Sequence, residues 1–133
     1  AIPMAVATRP AVSVEMPIER REPIVVHFGF DKTVPVGDWK RALESVERKA
    51  APSDRLLIES YTDDKGSARY NDRLARQRAE FVWSWLKARG VKNPMEVVVK
   101  GKCCYVAPND TEAGRAANRR VEIRFIHDKE KYE

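Results

Sequence analysis

From Ile24 onward the chain alternates. Ile24, Val26, Phe28 and Phe30 fall on one side of an extended segment, the period of two that a half-buried strand requires. After Pro35 the period lengthens: Trp39, Ala42, Leu43, Val46 and Ala50 recur at helical spacing. They predict an amphipathic helix with Asp38 near its first turn, where the helix dipole favours an anion, and Pro52 as its end. Leu56 to Tyr61 reads as a second strand, and Asp63-Asp64-Lys65-Gly66 as the turn that leaves it. A long second helix runs to about Arg89, because Leu74, Arg78, Val82, Trp85 and Leu86 share one stripe and Gly90 supplies the stop. Met95 to Lys100 is a third strand, and Val121, Ile123 and Phe125 alternating with Arg120, Glu122 and Arg124 make a fourth. Gly101 to Asn118 between them is predicted to be a long loop. The order β-α-β-α-β-loop-β predicts an α+β fold: a two-layer α/β sandwich with a mixed sheet and both helices on one face.

That pattern divides the chain into three parts. Residues 1–23 contain Pro3, Pro10, Pro17 and Pro23 without a sustained period and are expected to form an extended arm or linker. Residues 24–127 form the domain, and 128–133 a C-terminal tail. A chain of 133 residues forms one core rather than two. No apolar run approaches the roughly 18 residues of a membrane span, which leaves a membrane anchor upstream as an open possibility. The start Ala1-Ile2-Pro3, with no basic stretch leading into an apolar run, carries the expectation that any signal peptide has been removed.

Charge adds a partner class. The chain holds 25 Lys and Arg against 20 Asp and Glu, a net +5, which favours an anionic partner. Residues 63–92 alone carry eight basic side chains against four acidic ones. The aromatics of this stretch, Tyr70, Phe81, Trp83 and Trp85, follow helical packing rather than a stacking platform, so nucleic acid is not the expected partner.

The most specific segments are Thr62-Asp63-Asp64-Lys65-Gly66, Tyr70-Asn71, Leu74, Arg78-Ala79 and the downstream Gly114-Arg115-Ala116-Ala117-Asn118-Arg119-Arg120-Val121-Glu122. With Phe28-Gly29-Phe30-Asp31 ahead of them, residues 24–127 resemble an OmpA-like peptidoglycan-binding domain, the module shared by outer-membrane proteins, peptidoglycan-associated lipoproteins and flagellar stator proteins. The resemblance implies non-covalent capture of the diaminopimelate in the peptide stem of peptidoglycan, in the periplasm or cell envelope of a Gram-negative bacterium, with outer-membrane association as one setting. It places the Asp that takes the ligand's ammonium at Asp63 and the Arg that takes its carboxylate at Arg78. Asn71 falls on the family's Asn, Thr62 and Gly66 complete the pocket, and Asn118, Arg119 and Arg120 support it. A carboxylate and a forked guanidinium together suit an amino-acid head that is both cation and anion. The sequence departs from the family where Ser60-Tyr61 stands for a common Gly-His and Ala75 for a frequent Ser. The alternative is the same fold kept as a structural part of a multiprotein envelope machine, such as a secretion system, without wall binding. Other envelope proteins are then its partners.

One distance constrains the site. If the second helix began at Ser67, Arg78 would lie about 16 Å along its axis from that start at ~1.5 Å per residue. Either Gly66 to Tyr70 loops back, or the helix lies across the strand end. Asn71 and Arg78, seven apart on one face, favour the second. Catalysis is not expected, because strand alternation puts Glu59 beside Tyr61 while Asp63 lies in the turn, so no acid and base face a common bond. No cofactor is implied. His27 and His127 without a Cys-x-x-Cys offer no metal site. Cys103 and Cys104 are neighbours, with Cα atoms ~3.8 Å apart, below the usual disulfide range, so they are expected to be free thiols or to bond another chain.

Overall fold

The computed structural model describes residues 12–14, 17–128 and 130–132. Seven strands and three helices follow in the order β1 (Val12–Val14), β2 (Ile18–Glu19), β3 (Ile24–His27), α1 (Trp39–Lys49), β4 (Arg55–Tyr61), α2 (Ala68–Ala88), β5 (Met95–Gly101), α3 (Glu112–Asn118), β6 (Arg120–His127) and β7 (Glu130–Tyr132) among the described residues. The main sheet is mixed. β4 and β5 run parallel, as a strand-helix-strand crossover through α2 requires, and β6 lies antiparallel to β4, β3 and β2. β6 is therefore the spine: one edge takes β4, and the other takes β3 over Arg120 to Ile123 and β2 over Ile126 and His127.

Alternation decides which side chains meet the helices. Val26 and Phe28, Leu56 and Ile58, and Val121, Ile123 and Phe125 form one buried layer with Leu43 and Val46 of α1 and Ala79, Val82 and Leu86 of α2. Each such large side chain contributes about 1.5–3 kcal/mol when fully buried. Trp39 joins the two helices, edge-to-face against Phe81 and Trp85 at 5.1 and 6.0 Å. Ser67 caps α2 by accepting from Tyr70 N at 3.0 Å, and Gly90, at φ +90°, ends it.

The opposite face of the sheet is polar but well shielded. Arg124 bonds Glu59 at 2.6 Å, Glu19 at 2.7 Å and Glu122, while Arg120 bonds Glu122 at 2.6 Å and stacks 3.8 Å above the Tyr61 ring. Burial opposes the Arg124 charge, but the hydrogen bonds to Glu19 and Glu59 raise its pKa above the ordinary value.

Three expectations are corrected. The segment expected to be an arm is extended, yet two of its pieces pair: β1 with β7, in the expected tail, and β2 with β6. Arg20 fastens this segment to the domain through Asp54 at 2.8 Å and the Lys49 carbonyl at 2.8 Å. Residues 1–11, 15, 16, 129 and 133 lie outside the described residues. The expected loop from Gly101 to Asn118 ends in α3, a seven-residue helix capped by Thr111, whose hydroxyl accepts from Gly114 N at 3.0 Å. Its sequence, Glu-Ala-Gly-Arg-Ala-Ala-Asn, carries no apolar stripe, which is why period analysis passes over it. Finally, Cys103 and Cys104 are joined to each other. Cys104 lies in the left-handed region, at φ 57°.

Candidate functional site

The end of β4, the turn after it, the first half of α2 and the loop after β3 converge on one crevice, lined among others by Asp31, Thr62, Asp63, Tyr70, Asn71, Arg78 and Arg119. Arg78, in the middle of α2, lines this crevice together with Asp63 and with Asn71 from the start of the same helix. A larger, open groove of about 580 Å³ runs beside α2 between Thr33 and Trp85. It has mostly apolar walls and no set of buried polar groups converging on it, so the chemistry lies in the crevice.

Arg78 is fully buried. Its Nε donates to the Lys32 carbonyl at 2.9 Å and one terminal nitrogen, Nη2, to the Gly29 carbonyl at 3.1 Å, while the guanidinium sits 5.0 Å from the Phe28 ring centre. The other terminal nitrogen, Nη1, has no partner among the described residues. Burial first, and the neighbouring Arg119 charge second, push Arg78 down to about 10, against the pull of Asp63, Tyr70 and Asp31. A buried donor without an acceptor costs about 1–3 kcal/mol, more when charged, a cost that an anion in the crevice would relieve.

Asp63 is also buried, at 3% exposure. Its Oδ1 accepts from Lys65 N at 2.9 Å and its Oδ2 from Arg119 Nη1 at 3.1 Å. Each carboxylate oxygen carries a second lone pair, so Asp63 retains capacity for a cation. Arg119 reaches further, donating to the Phe28 carbonyl at 2.8 Å and to Glu112 at 3.1 Å. Burial opposes its charge, but the bonds with Glu112 and Asp63 raise its pKa.

The other residues singled out in the sequence divide by role. Thr62, buried in the wall, is pinned by its N–H to the Gly101 carbonyl at 2.9 Å. Asn71 donates to the Lys65 and Ser67 carbonyls at 2.7 and 2.9 Å and so fixes the turn. Gly66, at φ +90°, permits the turn itself; a Cβ there would stand 3.0 Å from the Tyr70 ring. Asn118 is a brace outside the crevice: it accepts from Val106 and Ala107 N at 2.8 and 3.1 Å and donates to the Ala107 carbonyl at 2.8 Å. Arg120 is not brought to the crevice. Alternation along β6 turns it to the opposite sheet face, where it holds the Cys104 carbonyl at 3.1 Å and so supports the loop rather than the pocket. Asp31 and Tyr70 join the site without having been singled out by residue type, although both stand inside the motifs that carry the family resemblance. Among the described residues no cluster of His, Cys, Asp and Glu is placed to hold a metal ion.

The model of the OmpA family matches residues 38–119. Outer membrane protein A of Bordetella avium is 34% identical over 102 residues, covering 74% of this chain and 53% of that protein. The peptidoglycan-binding protein ArfA of Mycobacterium bovis is 46% identical over 76 residues, 56% of this chain and 23% of that protein. The chain thus spans about half the length of the first relative and about a quarter of the second. Among solved structures, the peptidoglycan-associated lipoprotein from Burkholderia pseudomallei superposes with a TM-score of 0.70 at 34% identity, over 76% of this chain and 88% of that one.

Proposed function

The chain belongs to the OmpA family, and from that premise we propose that it binds peptidoglycan non-covalently in the cell envelope, through the diaminopimelate of the stem peptide, and so ties the assembly it serves to the wall. The observation that carries this reading is Arg78, buried in the crevice wall with Nη1 unpartnered beside Asp63. A carboxylate of the ligand satisfies that nitrogen, and the adjacent ammonium takes the spare lone pairs of Asp63. Two relatives support the choice of polymer, since their names describe a peptidoglycan-binding protein and a peptidoglycan-associated lipoprotein.

Binding proceeds without turnover. Glu59 lies on the far face of the sheet bonded to Arg124, Asp63 is ion-paired with Arg119, and Asp31, the second acid of the crevice, accepts from the Tyr70 hydroxyl, so none of the three stands as the free acid or base that hydrolysis of a glycan needs. Muropeptide profiles after long incubation should match the protein-free control.

Calorimetric titration with diaminopimelate-containing and lysine-containing muropeptides at one salt concentration tests the assignment. A lysine stem offers the ammonium but no adjacent carboxylate, leaving Arg78 Nη1 unpaired, so a preference of ~1.5–3 kcal/mol for diaminopimelate is expected. Arg78→Met, which keeps the packing against Phe28, should abolish the preference. Equal affinity for both stems in the unmutated protein would remove Arg78 from the ligand site.

A further inference from the structure

Tyr70 belongs to the first turn of α2 and Asp31 to the loop after β3, 39 residues away in sequence, yet the Tyr70 hydroxyl donates to Asp31 Oδ1. Both side chains line the crevice. With them in contact the crevice retains about 10 Å³ of free space, about what one water requires. An amino-acid head group, with its ammonium, Cα and carboxylate, needs several times that. The crevice therefore holds a buried, unpartnered guanidinium nitrogen that no ligand head can reach while the two side chains touch.

We propose that the Tyr70–Asp31 hydrogen bond is a latch over the crevice, and that ligand enters only when it opens. The proposal rests on the reading above, that the crevice takes the diaminopimelate head. Three observations support a latch rather than a fixed wall. Tyr70 is half-buried and Asp31 exposed, so their separation opens no part of the apolar core. The backbone on both sides of Asp31 is held independently, by Arg78 on the Gly29 and Lys32 carbonyls, so the loop keeps its place when the side chains part. Asp31 itself sits at φ 58°, a sparsely populated region that Asp tolerates better than most residues, and its side chain is fixed there by Tyr70. Gly66 offers a surface without a Cβ on which the Tyr70 ring lies in this position.

A site that is competent only in a fraction of molecules binds with an apparent affinity reduced by that fraction. Removing the latch without removing the ring should accordingly speed entry. Two measurements on the full chain decide the matter. In the absence of ligand, solvent exchange of the Arg78 Nη1 hydrogens, which have no partner among the described residues, followed by NMR, should rise at least threefold in Tyr70→Phe and stay unchanged in Tyr105→Phe, which deletes a hydroxyl outside the crevice. In stopped-flow mixing with a diaminopimelate-containing muropeptide, the association rate constant should rise at least threefold in Tyr70→Phe. An unchanged or slower exchange in Tyr70→Phe overturns the latch, and so does an unchanged or slower association. If the unmutated protein binds no muropeptide, the functional reading falls and the exchange measurement alone decides the latch.

Discussion

Replacing Asp63 by Ala separates two jobs that the site gives to one carboxylate. The Asp63 and Arg119 side chains are 5% and 7% exposed, with Arg119 Nη1 3.1 Å from Asp63 Oδ2. At that separation and an effective dielectric near 20, two unit charges attract by about 5 kcal/mol, most of which offsets their desolvation. Deleting one partner leaves a buried guanidinium behind, which costs about 3–5 kcal/mol. Glu112 moderates the loss, because its carboxylate lies 3.1 Å from the same nitrogen, although its side chain is 60% exposed. The lower end of the range, about 3 kcal/mol, is therefore expected, with about 1 kcal/mol more from the lost acceptor for Lys65 N.

Urea unfolding followed by circular dichroism measures this in the unmutated protein, Asp63→Ala, Arg119→Met and the double variant. The two single losses should fail to add, with a coupling of at least about 1 kcal/mol. Additivity within about 0.5 kcal/mol would refute the argument and leave Asp63 as a carboxylate for ligand alone. The same experiment governs how binding data are read. Loss of sedimentation with sacculi in Asp63→Ala counts as lost recognition only at a temperature where the variant is shown to be folded.

Two other outcomes follow from the same structure. Gly114→Ala should lower the melting temperature by at least about 5 °C, since the new Cβ would stand 1.7 Å from the Pro108 carbonyl oxygen and overpacking costs about 1–3 kcal/mol; an unchanged melt would mean that the loop yields freely. Asp54 is held below the usual carboxylate range chiefly by its hydrogen bond from Arg20, aided by Ala51 N–H and opposed by burial. A depressed folded pKa gives stability that is present above the unfolded value of about 4 and is lost as pH falls through the folded one. Asp54→Asn should thus flatten the acid limb of a plot of urea midpoint against pH, and an unaltered slope would exclude the pair from acid unfolding.

Elements with a sustained period are legible in the amino-acid sequence alone. Phe28, Ile58 and Ile123 mark strand faces, and Leu43, Val82 and Leu86 mark helix stripes, because each face must be buried against another. The remaining elements are held by partners rather than by pattern. β2 is two residues long and exists because Ile126 and His127 offer an edge, and β1 exists because β7 does. The site divides in the same way. Thr62, Asp63, Asn71 and Arg78 are recoverable through the motifs that carry the family resemblance, and the fold brings them to one crevice. Their partners are not recoverable. The backbone carbonyls of Gly29 and Lys32 have no side-chain signature, and the meeting of Asp31 with Tyr70 depends on how a loop and a helix end approach across the sheet. Arg119 and Arg120 show what alternation does resolve: adjacent, identical residues are sent to opposite faces, one into the crevice and one onto Tyr61.

The arrangement of cations explains why the site cannot be a passive cleft. Arg119 holds the Phe28 carbonyl and Arg78 holds those of Gly29 and Lys32, so two buried guanidinia fix the loop that forms one wall. Both must stay charged to do so, and Arg78 at about 10 remains protonated at neutral pH. Asp63 is paired with Arg119, which leaves the Arg78 charge without a carboxylate of its own at hydrogen-bond distance among the described residues. On the proposed reading a ligand carboxylate supplies that counter-charge, so ligand and fold would stabilise one another and the melting temperature should rise with ligand concentration. A lysine in place of Arg78 would keep the charge but lose this coupling. An ammonium on a flexible stem cannot reproduce the planar fork that holds two carbonyls while directing a further nitrogen into the crevice.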